Sequence, residues 1–558
     1  MATSTTPATA VYLSRQHLSL DDIMAVARQG QPVALAADEE FRLRIARSRA
    51  SLERKLRAGE VVYGVNTGFG GNARYVIPVE EMAHHQQNLL EFLSCGVGEP
   101  LPEEAVRAAI LLRANALSRG LSAVRPVVIE RLLDLLNHRI TPVVPRFGSV
   151  GASGDLCPSA YIARAMAGRG TVLYKGCRAP AAECLDRERI PRLDLEAKEG
   201  LALLNGTTVM TGVGAIVVDE AAYLFRLSLG AVAMVAEALG SSPDYYHPAI
   251  HMAKHHPGQL AVAEMLNSLL LDSKLAVRLD EIRHRVEEAG RRANGNHRVA
   301  AAGESIQSPY SLRCAPQGLG PMHETLEQAR AVIEREANSV NDNPLIDPAA
   351  DEVYHTGNFY GAHIARAMDG LKLDLANLAN WLHALMALLM DDRFSNGLPP
   401  SLSPHVGLYQ GFKGMQLVHT SLVTAIRHWC APSLIHTLPT EQYNQDIVSL
   451  GTHSALTAAD VVRLVRSAVA ITLLSAAQAI DLRAGGGRMG VGTRPIYRTI
   501  RTVSAFVEAD RALEGDIAAV SGLIERRAIP VLNRLIHPSS QCGRLTLRPL
   551  PAPVTAPV

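Results

Sequence analysis

From about Glu199 onward apolar residues recur at helical spacing over long runs, which predicts a succession of long packed helices. Between Ile364 and Met390 the polar residues Asp369, Lys372, Asp374 and Asn377 interleave with apolar ones, and the pattern predicts a helix that faces these four away from its packed side. The stretches Val209 to Leu239 and Ala455 to Ile480 are apolar enough to mimic membrane helices. Asp219, Glu220 and Arg226 interrupt the first, and Asp460, Arg463 and Arg466 the second, so both are expected as core helices of a large bundle. In the first two hundred residues, short helical patterns alternate with breaker clusters. VNTGFGGN at Val65 to Asn72 and PRFGSVGASGD at Pro145 to Asp155 are expected to form loops that carry chemistry. Breakers return at Asn396 to Pro404 and at Gly485 to Gly487.

The expected fold class is therefore mainly α, a long central helical bundle with a mixed N-terminal portion. The expected division is a disordered tail at 1–10, an N-terminal domain at 11–200, the bundle at 201–490, a C-terminal helical part at 491–540 and a loose proline-rich tail at 541–558. Only 4% of residues are aromatic, so close helix packing rather than strand pairing fills the interior.

Charge narrows the function classes. With 55 basic and 54 acidic side chains in 558 residues the net charge is +1, and no field exists to collect nucleic acid or an anionic membrane. Small neutral or zwitterionic substrates fit better. Cys95, Cys157, Cys177, Cys184, Cys314, Cys430 and Cys542 are scattered without metal-type pairs, and the N-terminus lacks a secretory pattern, so a cytoplasmic location is expected. His247, His251 and His255 recur every four residues. No carboxylate or cysteine joins them at ligand spacing, and Pro248 starts a helix after His247, so a solvated or capping role is expected and no metal.

The densest candidate chemistry lies in GSVGASGDLCPSA, Gly148 to Ala160. The Walker spacing and its lysine are absent, and Asp155 stands where a nucleophile elbow needs its second glycine. Two readings remain for this stretch, a plain turn and a self-modifying tripeptide. In the second, the Gly154 nitrogen attacks the Ala152 carbonyl, a five-membered ring closes, and loss of two waters leaves an exocyclic methylene where the Ser153 hydroxymethyl stood. Small residues at 152 and 154 let the backbone compress to that geometry.

ASGD in this context resembles the aromatic amino acid ammonia-lyase and 2,3-aminomutase family, most nearly its phenylalanine ammonia-lyases. Further blocks agree in order: VVYGVNTGFGG from Val61, HQQNLLEFLSCGVG from His85, LLNGT from Leu203, QSPYSLRCAPQ from Gln307, NSVNDNPL from Asn338, GNF from Gly357 and EQYNQD from Glu441. The resemblance spans roughly residues 10 to 540. It implies the fumarase/aspartase-like fold, a homotetramer whose sites draw on more than one subunit, and a 4-methylidene-imidazole-5-one (MIO) group made from Ala152, Ser153 and Gly154 on the N-terminal domain, without a metal. It also implies the compact bacterial form, since the segment inserted near the C-terminus of plant-type relatives is missing.

Residue by residue, the resemblance makes Tyr63 the catalytic base on a glycine-rich mobile loop. A free phenol has a pKa of ~10, so only about a thousandth is ionised near neutrality unless helix N-termini or cations lower it. Arg313 is implied to bind the substrate carboxylate, with a structural salt bridge as the rival reading, and Tyr310 and Gln307 to bond the electrophile and substrate. Asn205 is implied to hold the prosthetic-group oxygen or the substrate carboxylate, and Phe359 to pack against the group. Glu441 and Gln445 look like the phenylalanine-type site, with Glu441 near the migrating amine, and Asn444 in the same block is implied to bind the substrate. Asn341 and Asn343 are expected to be structural. Phe92-Leu93 resembles phenylalanine-specific members, whereas tyrosine-specific ones carry histidine in this pair and histidine-specific ones Ser-His. Two apolar side chains leave a phenolic hydroxyl unpaired, at a cost of roughly 1–3 kcal/mol. The activity so implied is elimination of ammonia from L-phenylalanine to give trans-cinnamate. The alternatives are a phenylalanine or tyrosine 2,3-aminomutase, then a tyrosine or histidine ammonia-lyase. A catalytically silent scaffold would be expected to lack the tripeptide or the base.

Overall fold

Helix Thr208–Leu239 carries apolar residues on almost every side, and 89% of its most apolar stretch is buried in the protein's own interior. It crosses helix Glu103–Ser118 closely because Gly212 has no side chain: a Cβ there would lie 2.9 Å from the Ala109 nitrogen and 3.0 Å from the Ala105 oxygen. The structure is a computed structural model and describes residues 10–13, 17–293 and 304–532. Residues 1–9, 541–558, Cys542 and the end of the expected C-terminal part beyond 532 lie outside the described residues. Among those described, nineteen α-helices and nine short strands form a mainly helical protein.

The described residues within Met1–Phe225, Pro321–Trp381 and Val418–Ala468 form one compact unit, and those within Arg226–Gly320, Leu382–Leu417 and Val469–Val558 a second. The units interleave along the chain, whereas breaker clusters suggest domains in sequence order. Breakers mark the ends of helices, and helices Thr208–Leu239, Ala362–Met390 and Gly451–Leu482 each contribute residues to both units.

In the first unit, strand Val97–Pro100 pairs antiparallel with Pro145–Phe147, which delivers the chain into the loop at Gly148 to Asp155. Helix Leu156–Met166 follows directly. Helix Ala362–Met390 corrects one expectation. Asp369 and Lys372 do not face away but are buried, 2.9 Å apart, one turn along the same face. Lys372 Nζ also donates to the Ala431 carbonyl at 2.8 Å, Thr457 Oγ1 at 3.1 Å and Ser433 Oγ at 3.3 Å. A buried ammonium is tolerable because all its donors are used, which hydropathy spacing does not reveal.

In the second unit the three histidines do not form one face. Helix Pro248–Met252 is a short one: His247 caps it through Nδ1, accepting from Ala249 N at 3.2 Å, and His255 lies beyond its end with φ +61°. His251 is buried, its Nε2 3.1 Å from the Tyr245 carbonyl and its Nδ1 2.9 Å from Gln259 Nε2. No group of three or more His, Cys, Asp or Glu side chains among the described residues is placed to hold a metal ion.

Candidate active site

Ser153 is gripped at both oxygens. Asn205 Nδ2 donates to the Ser153 carbonyl at 2.9 Å, and Gln445 Nε2 donates to Ser153 Oγ at 2.9 Å. Asn205 is delivered by the end of helix Glu199–Leu204, where its extended backbone stops the helix. Gly154 has φ +73° and forms a bridge with Gly206, so close that a Cβ on Gly154 would overlap the Gly206 backbone. Only glycine fits there. The Asp155 amide donates to the Gly206 carbonyl at 2.8 Å, and Ser449 Oγ donates to the Gly151 carbonyl at 2.7 Å. Asp155 is buried, which pushes its carboxyl pKa up, while bonds from Thr452, Met210 N, Ser149 and Val209 N pull it down.

Tyr63 sits on a loop anchored by its neighbours. Val62 and Val65 are buried with Leu52, Met82, Ala123 and Ile346, each valine contributing about 1.5–3 kcal/mol, and leave Tyr63 half-buried between them. The Tyr63 hydroxyl accepts from Gly70 N at 2.9 Å. Gln86 ties this loop to the Asn205 helix, donating to the Gly64 carbonyl and accepting from Leu201 N, both at 2.9 Å. Burial raises the Tyr63 pKa above the usual phenol value, the Gly70 amide lowers it, and the Glu441 carboxylate raises it again. The phenol is thus shifted away from neutrality, opposite to the lowering that the sequence reading allowed for.

The segment Glu441–Tyr443 joins loop and tripeptide. All three residues have positive φ, between +51° and +62°, and the Thr440–Gln445 bridge closes the turn. The Glu441 carboxylate lies over Gly70, where a Cβ would overlap it, and four residues on Gln445 reaches Ser153. Asn444 is exposed, its amide bonded to the Glu441 carbonyl at 2.9 Å. A cavity of about 570 Å³ opens beside this turn, lined among others by Phe69, His85, Asn88, Leu89, Phe92 and Gln442. His85 stacks on Phe69 at 4.1 Å with the rings 8° from parallel, and burial lowers its pKa, which keeps the imidazole neutral. Phe92, the last residue of helix Met82–Phe92, lines the cavity; Leu93 is buried behind it at 7% exposure. Phe359 is half-buried in the turn leading to Gly361, whose amide points at the Gly151 carbonyl, 3.5 Å away.

Gln307, Tyr310 and Arg313 belong to the second unit. There Arg313 Nε donates to the Ser308 carbonyl at 3.1 Å, and its guanidinium lies 4.5 Å from the Tyr310 ring centre. Tyr310 is 71% exposed, and Gln307 is exposed as well.

Residues 18–502 match the family model for aromatic amino acid lyases. The chain belongs to the aromatic amino acid lyase family. Among curated relatives, a hal-like protein of Dictyostelium discoideum is 42% identical, covering 93% of this chain and 96% of its own. Histidine ammonia-lyase of Geobacillus sp. is 38% identical over 95% of this chain and 99% of its own. The solved Pantoea agglomerans phenylalanine aminomutase superposes with a TM-score of 0.88 at 35% identity, covering 92% of this chain and 98% of that one. Membership of this lyase family makes the protein an enzyme, a carbon–nitrogen lyase, with the fold of the aminomutases and ammonia-lyases.

For a member of this lyase family, the described site also contains residues that the sequence reading left without a role. Asp155 and Gln442 stand inside quoted blocks, and His85 heads another, so position within a block was the available signal. Ser149 lies in the glycine-rich stretch before the tripeptide, whereas Thr452, 2.8 Å from it and also on Asp155, stands in no block, because their meeting depends on tertiary packing across some 300 residues. The residues present suit an MIO group: the ring carbonyl would be the Ser153 oxygen that Asn205 already holds, and Asn205 Oδ1 is buried without a hydrogen bond among the described residues.

Proposed function

We propose that this chain is an MIO-forming phenylalanine ammonia-lyase, converting L-phenylalanine to trans-cinnamate and ammonia. The observation that carries the proposal is the double grip on Ser153, from Asn205 and Gln445, in the same unit as the Tyr63 loop. The family is MIO-dependent, and the group supplies an electron-poor alkene that converts a poor amine leaving group into a better one. The chain's own residues do the rest. Tyr63, in its phenolate form, takes the weakly acidic proton on the carbon beside the aromatic ring. Asn205 donates a hydrogen bond where negative charge gathers on the Ser153 oxygen. The family resemblance further implies that Gln307, Tyr310 and Arg313 bind the substrate, Arg313 through its planar fork to the carboxylate, while Asn444 and Phe359 frame the site.

The phenylalanine preference rests on the cavity wall. Phe92, Phe69 and Leu89 offer apolar contact, and His85 faces Phe69 rather than standing free as a partner for a phenol. Aminomutase activity is the second reading, favoured by the likeness to the Pantoea enzyme. The two share every residue and differ in whether the acrylate escapes before the amine returns, which depends on closure of the Tyr63 loop. A homotetramer in the cytoplasm, taken from the family pattern and the cysteine usage, completes the proposal.

Purified enzyme incubated separately with L-phenylalanine, L-tyrosine and L-histidine, with products followed over time by chromatography, tests this. Cinnamate rising in step with ammonia is the expected result. Early β-phenylalanine would make it an aminomutase, and turnover of histidine or tyrosine alone would overturn the phenylalanine assignment. Replacing Asn205 by Ala is expected to lower kcat by roughly 10²–10³, the loss seen when one such donor is removed. An unchanged kcat in fully matured Asn205→Ala protein would take the residue out of charge stabilisation.

A further inference from the structure

We propose that Arg113 is a positioning residue for ring closure of the Ala152-Ser153-Gly154 tripeptide: its cation is wedged behind Gly206, which in turn is pressed against Gly154. The inference rests on the proposal that this tripeptide matures to MIO. Arg113 lies within helix Glu103–Ser118, 2% exposed, among Leu111, Leu112 and Ala114. A guanidinium is costly to bury there unless every donor is used. Only Nη1 is bonded, to Asn341 Oδ1 at 3.4 Å, while Nε and Nη2 make no hydrogen bond among the described residues. The carboxylates that face it are committed elsewhere. Asp342 pairs with Lys198 at 2.7 Å and accepts from Ser122 at 2.9 Å, and Asp155 is held by Ser149, Thr452 and Met210 N. Burial pulls the Arg113 pKa down to about 10, with Asp342 and Asp155 holding it up, so the group is a cation at neutral pH.

What the guanidinium touches explains its retention. A Cβ on Gly206 would overlap both Arg113 Nη2 and Asn341 Oδ1, and a Cβ on Gly154 would overlap the Gly206 backbone. Arg113, Gly206 and Gly154 therefore form a continuous stack with no slack. The residues flanking Gly206 are fixed as well: Asn205 holds the Ser153 oxygen, and Asn341 Nδ2 donates to Thr207 Oγ1 at 2.8 Å.

In ring closure the Gly154 nitrogen bonds to the Ala152 carbonyl carbon. The first water takes the Ala152 oxygen with the amide hydrogens of Gly154 and Ser153, leaving a C=N bond. The second takes Ser153 Oγ with its own hydrogen and the Ser153 Cα hydrogen, leaving the methylene; no oxidant or reductant is needed. The first bond requires that Gly154 move toward Ala152 rather than recoil, and that its nitrogen lose a proton. A rigid wall behind Gly154 serves the first need, and a cation in a dry interior, its neighbouring carboxylates bonded to other groups, favours the second.

The test compares wild type, Arg113→Met and Arg113→Lys by intact mass under denaturing conditions, with helical circular dichroism and the thermal midpoint as the measure of folding. The expected result is wild type lighter by two waters, Arg113→Met folded but matured about tenfold less or worse, and Arg113→Lys largely restored. Full maturation of Arg113→Met overturns the inference. So does equal failure of both variants, whether folded, since the cation then does not matter, or unfolded, since Arg113 is then only structural. A wild type that keeps both waters instead removes the MIO reading itself, and the inference with it.

Discussion

Ser153→Ala protein is expected to fold normally and to be all but inactive, with kcat lower by on the order of 10⁴ or more, as when the group that forms the covalent bond is deleted from an enzyme. The reason is stoichiometric. In the proposed maturation the second water would be built on Ser153 Oγ, which Gln445 Nε2 holds at 2.9 Å; without that oxygen no methylene can form. Intact mass separates this from misfolding: wild type is expected to lose two waters and the variant at most one, with the same helical dichroism. Residual activity within about a hundredfold of wild type would show that the chemistry does not need the alkene.

The second large effect is at Tyr63. Tyr63→Phe is expected to lower kcat by roughly 10²–10⁴, the usual contribution of a positioned base, with a smaller change in KM. The pH dependence supplies the sign. Burial and Glu441 raise the Tyr63 pKa above its ordinary value of about 10, so the active phenolate is below a thousandth of the enzyme at neutrality. Log kcat should then climb with a slope near one from neutral into alkaline pH, and that limb should vanish in Tyr63→Phe. A flat wild-type profile with chemistry rate-limiting would remove Tyr63 from the role of base.

These residues were accessible from sequence to different degrees. The tripeptide, Tyr63, Asn205 and Gln445 stand in short blocks whose order along the chain carries the family resemblance, and the helical periodicity after Glu199 gives the fold class. Arg113 was not accessible, because a charged residue in an alanine- and leucine-rich helix reads as a solvated position, and only packing shows it buried. Asp369 and Lys372 misled for the same reason. The turn at Glu441–Tyr443 was hidden differently: three consecutive non-glycine residues at positive φ break the local preference that sequence reasoning relies on. Phe92 and Leu93 read as an equivalent pair, yet one is the last residue of a helix and lines the cavity while the other caps it and turns inward.

The loop at Gly148 to Asp155 takes its walls from residues made much later. Its Gly151 and Val150 carbonyls accept from Ser449 and Leu450, and Asp155 is held by Thr452, about 300 positions downstream. At an elongation speed of about 5–20 residues per second, a ribosome needs roughly 15–60 s to travel from the tripeptide to those partners. Throughout that interval the nascent Ala-Ser-Gly segment lacks these contacts. In the proposed maturation the reactive alkene would therefore come into being only after the chain that shelters it has been translated, and a truncated or stalled product would carry no electrophile to alkylate the thiols around it.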